Sequence, residues 1–256
     1  MPTWNAGQYL RFAAERTRPC RDLAAAISLD APRRIIDLGC GPGNSTSVLA
    51  ERWANADISG VDNSENMIAT ARKDVPGRTF VVGDIDSWSP DGPYDLVFSN
   101  AALQWVENHA HTYPRLLGFV APGGAFAAQV PCNMDAPTHM LMRELGESSE
   151  FRTYLGEGVR QWFVHEPAFY YDILAPHSER VDIWVTEYMH ILPNAAAIVE
   201  WYKGTGLRPF LDRLPDATIR ERFLAQYLEA ITSAYPARRD GQVILPFRRL
   251  FVVAYR

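Results

Sequence analysis

From residue 34 onward, short β-branched and apolar runs alternate with stretches whose apolar positions repeat at helical spacing: RIIDL, STSVLAERW, ADISGVD, SENMIATARKD, TFVVGD. That alternation predicts a parallel sheet with covering helices, because a parallel crossover needs a helix to bring the chain back. YDLVFSN and GGAFAAQVP extend the series, with a helix expected over His109 to Val120 and ended by Pro122-Gly123-Gly124. Five strands thus precede residue 132. Helical sequence comes before the first of them.

Beyond Cys132 the rhythm changes. Residues 132–180 are rich in Met, aromatics and arginine, carry helical stretches such as PTHMLMREL, and break at Gly156, Gly158, Pro167 and Pro176. VDIWVTEYMHIL restores a strand, helical sequence fills 216–235, and GQVILPFRRLFVVAYR closes the chain in strand-like sequence. The expectation is an α/β, doubly wound sheet in one domain over residues 1–256. Helical cap elements at about 132–180 and 194–238 would surround the last strands.

Composition narrows the partners. With 256 residues, 47% of them hydrophobic, the chain is long enough for a large core. A net charge of −5 without any long Lys/Arg run argues against a nucleic-acid footprint. The start, MPTWNAGQYLRF, has neither a basic segment nor an unbroken apolar one, and no stretch reaches the roughly 18 apolar residues of a membrane span. A cytoplasmic protein with no membrane partner is expected. Cys20, Cys40 and Cys132 are far apart and form no CxxC pair, so they suggest neither a disulfide framework nor a zinc site.

The candidate chemistry begins at IIDLGCGPGNST, residues 35–46, where the first strand turns into its helix. Ligands of open parallel sheets bind at such places. Glycines 39, 41 and 43 allow a tight turn with no Cβ against the ligand, and Asn44 or Ser45 is placed to cap the helix that follows. A P-loop would need a lysine after the last glycine, and Asn-Ser-Thr stands there. A dinucleotide fingerprint is weakened, because Pro42 removes one backbone donor. Acids decide further. Asp62 closes the second strand, where a carboxylate suits ribose hydroxyls; Asp84 closes the third, facing adenine's exocyclic amine, with Ile85 against the ring. Asp37, just before the glycines, suits an ammonium and repels phosphate. Three strand-end acids around one turn describe a cationic, phosphate-free nucleoside, and S-adenosylmethionine fits.

Each residue also has a plainer reading. A strand-end Asp alone serves as a helix cap or turn residue. Cys40 lies inside the turn with no basic neighbour and reads as a small filler. His109 and His111, at i,i+2, point to different helix faces and read as a solvated helix start, so no metal is expected.

DLGCGPG, Asp62 and Asp84 resemble the motifs of class I S-adenosylmethionine-dependent methyltransferases. WNAGQYLRFAAERTRP, SNAALQWV, PTHMLMREL, YYDIL, VDIW, TGLRPFL and FRRLFVVA, spread from residue 4 to residue 254, resemble the trans-aconitate 2-methyltransferase family. The resemblance implies a Rossmann-like seven-stranded sheet with its last strand antiparallel. It also implies methyl transfer to a carboxylate of trans-aconitate, leaving S-adenosylhomocysteine. Contacts to the cofactor are expected from Asp37, Gly39, Gly41, Gly43, Asn44, Asp62, Asn63, Asp84, Ile85, Asn100, Ala101 and Tyr9.

A small polycarboxylate needs cationic partners, and arginine's planar fork matches a carboxylate. Arg16 is the first candidate, because Tyr9, Phe12 and Arg16 share a helix face at i, i+3 and i+7. Arg208 in TGLRPF is the second, and Arg143 with His139, at i,i+4, adds a third contact; for each arginine the plainer reading is a solvated face. Trp105 either closes the methyl-transfer chamber or simply packs in the core. Competing readings keep the cofactor but change the acceptor to another small acid, a carrier-bound thioester or a natural-product hydroxyl. More remote are an NAD-dependent oxidoreductase and a non-catalytic sensor of adenosyl ligands.

Overall fold

The computed structural model describes residues 13–156, 159 and 162–256, with residues 13–16 described in backbone only. Helix α1 (Ala13–Ala26) leads into β1 (Arg34–Leu38), α2 (Asn44–Arg52), β2 (Asp57–Asp62), α3 (Glu65–Asp74) and β3 (Thr79–Val82). Then come β4 (Tyr94–Asn100), a 3-10 turn (Leu103–Trp105), α4 (His109–Leu117), β5 (Val120–Pro131), α5 (Pro137–Glu147), α6 (Arg152–Leu155) and α7 (Pro167–Leu174). The chain finishes with β6 (Arg180–Leu192), α8 (Ala195–Lys203), α9 (Arg208–Leu211), α10 (Ala217–Ala234) and β7 (Val243–Tyr255).

The seven strands form one sheet in the order β3-β2-β1-β4-β5-β7-β6. β1 pairs in parallel with both β2 and β4, β4 with β5, and β7 runs antiparallel to β5. The strand order reverses between β1 and β4, which opens a crevice at their carboxyl ends. The antiparallel last strand agrees with the expected fold.

Two expectations change. The helix expected over His109 to Val120 ends at Leu117, and Pro122-Gly123-Gly124 lies inside β5 instead of stopping a helix. Val120 already pairs with Tyr94, and the ladder resumes at Leu96 and Ala125, so the Pro-Gly-Gly segment is absorbed as a bulge with Gly123 at φ 78°. Second, the stretch read as one insertion is divided. The chain forms two compact units: residues 1–132, 163–186 and 249–256, and residues 133–162 with 187–248. Helices α5 and α6 belong to the second, whereas α7 belongs to the first.

Burial explains that division. In the first unit one sheet face is covered by an apolar cluster that includes Val97, Tyr113, Phe126, Val130, Leu250 and Val252. Tyr170 and Leu174, one helical turn apart on α7, are wholly buried in that cluster. His109, expected to be solvated, is 1% exposed and helps to hold Tyr170 there. Its Nε2 faces the Leu103 carbonyl at 2.8 Å and so carries the proton, which leaves Nδ1 to accept from the Tyr170 hydroxyl at 2.8 Å. Burial depresses the His109 pKa, consistent with a neutral ring. On the opposite face the Ser28 amide donates to the Tyr255 hydroxyl at 2.8 Å, and Trp184 stacks on Phe251 at 4.8 Å.

The second unit is helical around α10, whose buried Phe223, Tyr227 and Ile231 recur every four residues on one face. Phe151 meets Phe223 edge-on at 5.0 Å, and the Tyr227 hydroxyl donates to the Thr138 carbonyl at 2.9 Å. Among the described residues no helix is long and apolar enough to cross a membrane.

The Tyr170 hydroxyl also accepts from the His165 amide at 3.2 Å. Tyr170→Phe removes the partner of the buried His109 ring and of the part-buried His165 amide, and is expected to destabilise the protein by about 1–3 kcal/mol, measured by urea unfolding.

Candidate functional site

The crevice is built from the end of β1 outward. Asp37 is completely buried, and its Oδ2 accepts from the hydroxyls of Ser45 at 2.6 Å and Thr46 at 2.7 Å. Burial raises its carboxyl pKa to about 6, the two hydroxyl bonds lower it, and the neighbouring Asp62 charge raises it further. Asp37 Oδ1 is buried without a hydrogen-bond partner. The acid expected to face a ligand therefore spends one oxygen on the first turn of α2. Neither Asn44 nor Ser45 caps that helix, since the cap is Gly43 at φ 92°.

The turn between Asp37 and α2 is fastened to β2, because the amides of Gly39 and Cys40 both donate to the Val61 carbonyl, at 2.7 and 3.1 Å. Gly39 sits at φ 73°, and a Cβ there would fall 2.1 Å from the Cβ of Ala102 and 3.5 Å from Ile85 Cδ1. Only glycine fits that approach.

Asp62 accepts from the Gly41 amide at 3.0 Å and, through its other oxygen, from the Ser64 amide at 2.9 Å. It thereby ties the glycine turn to the start of α3. Burial raises its pKa, and those two amides lower it. Asp84 is exposed just beyond β3, accepts from the Asp86 amide at 2.9 Å, and receives the Asn63 side-chain amide at 3.3 Å. Asn63 and Asp84 thus join the rims of adjacent strands. Ile85 beside them is partly buried against the sheet cluster.

A hollow lies at the crevice, lined by Thr17, Cys20, Gly39, Cys40, Pro42, Asn44, Ser45 and Asn100. None of these described lining residues is cationic. Asn100 Oδ1 is buried with no partner. Ala101 follows at φ 56°, a conformation rarely adopted by a side-chain-bearing residue, held by its amide's bond to the Gln129 carbonyl at 2.8 Å and by Gln104 Nε2 donating to its own carbonyl at 2.7 Å. Trp105 ends the 3-10 turn, half-buried. Cys40 packs against Ile68, Ala71 and Phe80, and burial together with Asp37 and Asp62 pushes its thiol pKa far up.

The candidate acceptor contacts are distributed differently. His139 and Arg143 line a second hollow in the second unit, with Met142, Trp162, Gly206 and Phe210. The His139 ring meets Trp162 at 4.5 Å and Tyr202 at 5.2 Å, and its Nε2 is buried with no partner. Burial first, then Arg143, lowers its pKa to about 3, so the ring is neutral. Arg208 starts α9 with its Nε 3.4 Å from Asp212. Tyr9 and the side chain of Arg16 lie outside the described residues; the Arg16 backbone is in α1. Among the described residues no three His, Cys, Asp or Glu side chains gather as a metal site.

Sequence reasoning missed Ser45 and Thr46 as partners of Asp37, and it missed Gln129 and Arg249. Gln129, 1% exposed, is the polar residue near the carboxyl end of the apolar strand β5. Arg249, 5% exposed, shares one face of β7 with buried Phe251 and Val253. A period-two reading of FRRLFVVA separates it from exposed Arg248.

Comparison with known proteins accords with this geometry. A methyltransferase-domain family profile matches residues 35–124. The solved YcgJ protein from Bacillus subtilis superposes with a TM-score of 0.61 at 13% identity, covering 93% of this chain and 99% of that one. A Haemonchus contortus phosphoethanolamine N-methyltransferase 2 in complex with S-adenosylhomocysteine superposes with a TM-score of 0.56 at 15% identity, covering 93% of this chain and 53% of that one. These likenesses show the fold. Curated relatives are nearer: trans-aconitate 2-methyltransferase of Rhodopseudomonas palustris (strain BisB18) is 49% identical over 100% of both chains. The enzyme of that name from Yersinia pseudotuberculosis serotype O:1b is 48% identical over 100% of this chain and 99% of its own. Identity near one half over the full length of both partners goes well beyond shared architecture, and the chain belongs to the trans-aconitate 2-methyltransferase family.

Proposed function

We propose that the chain transfers the methyl group of S-adenosylmethionine to a carboxylate of trans-aconitate, forming a monomethyl ester and S-adenosylhomocysteine. The observation that carries this reading, beside family membership, is the set of Asp37, Asp62 and Asp84 around the Gly39–Gly43 turn where the strand order reverses.

The residues present fit the methyl donor. The hollow has no described cationic lining residue to favour phosphate, and the buried Oδ1 atoms of Asp37 and Asn100 remain as acceptors. In this reading Asp37 and Asn100 hold the ammonium end and Gly39, Gly41, Gly43 and Asn44 cradle the chain. Asp62 and Asn63 take the ribose, Asp84 and Ile85 the base, and Ala101 and Tyr9 border the ligand. The donor supplies an electrophilic methyl group on a sulfonium.

The acceptor needs no general base, since a carboxylate with a reference pKa near ~4 is already ionised at neutral pH. What the protein supplies is position and a dry setting. Holding nucleophile and methyl carbon aligned removes much of the entropic barrier, and exclusion of water favours the meeting of an anion with a cation whose charges cancel as they react. Arg16, Arg143, Arg208, His139 and Trp105 are proposed as acceptor contacts. Neutral His139 is suited to hydrogen bonding, not to charge pairing. A small polycarboxylate in the cytoplasm, not a nucleic acid, is the proposed partner.

Wild-type protein with isotopically labelled methyl donor is expected to esterify trans-aconitate in preference to cis-aconitate or isocitrate. Methylation of neutral alcohols without any polycarboxylate product overturns the reading. Asp62→Ala is expected to weaken S-adenosylhomocysteine binding about 10- to 100-fold in calorimetry, the scale of hydrogen bonds to a charged group.

Asp37 sets a pH dependence. Its folded pKa of about 6 lies above the carboxyl's ordinary 3.8, so its burial disfavours the ligand-free fold progressively as pH rises through that interval. A ligand ammonium reverses the balance by favouring the ionised form. Affinity for S-adenosylhomocysteine is therefore expected to be level above about pH 7 and to fall below about pH 6 with proton uptake by the free protein. Calorimetry across pH 5–8 should give a flat profile in Asp37→Asn; an unchanged profile in that variant rejects the assignment.

A further inference from the structure

The sheet face opposite the apolar cluster carries a row of polar side chains, Asp37, Asn100, Gln129 and Arg249, of which the reading above uses only the first two. Asp37 is in register with Phe98 on β4, and Asn100, two residues on, is in register with Gln129 on β5. Gln129 faces Phe251 on β7, whose neighbour two residues back is Arg249. Side chains alternate between faces, so Asp37, Asn100, Gln129 and Arg249 share the face opposite Val97, Phe126, Val130, Leu250 and Val252. All four stand toward the carboxyl rim of the parallel strands. Gln129 is one strand, about 4.8 Å, from Asn100, and Asn100 lines the hollow beside the glycine turn.

The bonding within this row has a direction. Arg249 Nη1 donates to Gln129 Oε1 at 3.3 Å. A guanidinium can only donate, so this contact fixes which end of the Gln129 amide is oxygen and turns Nε2 away as a donor. Gln129 Nε2 is buried and has no partner. A buried guanidinium with an adjacent unfilled amide donor presents only N–H groups, beside a hollow assigned to a methyl donor. The matching ligand group is an anionic acceptor of two hydrogen bonds.

We propose that Gln129 and Arg249 form a carboxylate-binding pair of the acceptor site, with Gln129 Nε2 and the Arg249 guanidinium donating to one carboxylate of the polycarboxylate. The pair orients the acceptor from the strand next to Asn100 and selects against neutral acceptors. This rests on the acceptor reading above, and it adds residues that neither the glycine motif nor the arginines of the helices supply.

The informative variant is Gln129→Glu. If the pair were only structural, a glutamate would form a satisfied buried ion pair with Arg249 and leave catalysis intact. If the pair binds substrate, the same glutamate competes for the guanidinium donors that face Gln129 and repels the incoming carboxylate. We expect the KM for trans-aconitate to rise at least about 30-fold while S-adenosylhomocysteine affinity stays within about twofold. Gln129→Met, of similar length, tests the donor alone and is expected to raise KM about 10-fold. A folded Gln129→Glu or Gln129→Met protein, checked by thermal melting, whose KM stays within about twofold of wild type, overturns the assignment while the substrate reading stands. Wild-type protein that makes no ester from trans-aconitate overturns both.

Discussion

A carboxylate buried at the end of the first strand organises everything around it. Asp37 is wholly buried, and burial pushes its carboxyl toward the neutral form. Ser45 and Thr46 supply two hydroxyl donors from one turn of α2, which fixes where that helix begins relative to β1. The intervening residues must then fold back within a few ångströms of β2 and Ala102, and glycine is the residue that permits it. Asp62 draws the same loop from the other side through the Gly41 amide. The crevice is shaped less by its glycines than by two acids that need donors and find them in its backbone and its first helical turn.

Much of this architecture was legible in the chain, because period-two and helical patterns alternate cleanly from β1 to β5. The reading failed where a local signal was overridden by pairing or burial. Pro122-Gly123-Gly124 looks like a terminator, yet Val120 already has a partner in Tyr94 and the strand closes over the interruption. His109 looks solvated beside His111, yet a hydroxyl and a carbonyl on opposite sides of its ring make burial tolerable. The helix at Pro167 follows its Tyr170 into the sheet core and so leaves the insertion to which its sequence neighbourhood assigned it.

For the candidate site, residue type and strand-end position pointed to Asp37, Asp62 and Asp84, but not to what each holds. A carboxylate at a strand end serves ligand and scaffold alike, and nothing in the residue type says that Asp62 bonds two backbone amides or that Asp37 leaves one oxygen over. Gln129 and Arg249 were harder to see. Their meaning lies in sheet register across 120 positions of sequence, and no local spacing encodes it. In the second unit PTHMLMREL marked a helix, whereas the aromatic box around His139 comes from Trp162 and Tyr202, distant in the chain.

Cys40 lines the same hollow as Gly39 and Asn44. Its side chain, however, packs into the apolar cluster of Ile68, Ala71 and Phe80. Burial and two neighbouring negative charges keep this sulfur protonated and poorly nucleophilic. The two acids that anchor the glycine turn thus also keep its one sulfur inert, so that Cys40 serves the turn as a small packing residue.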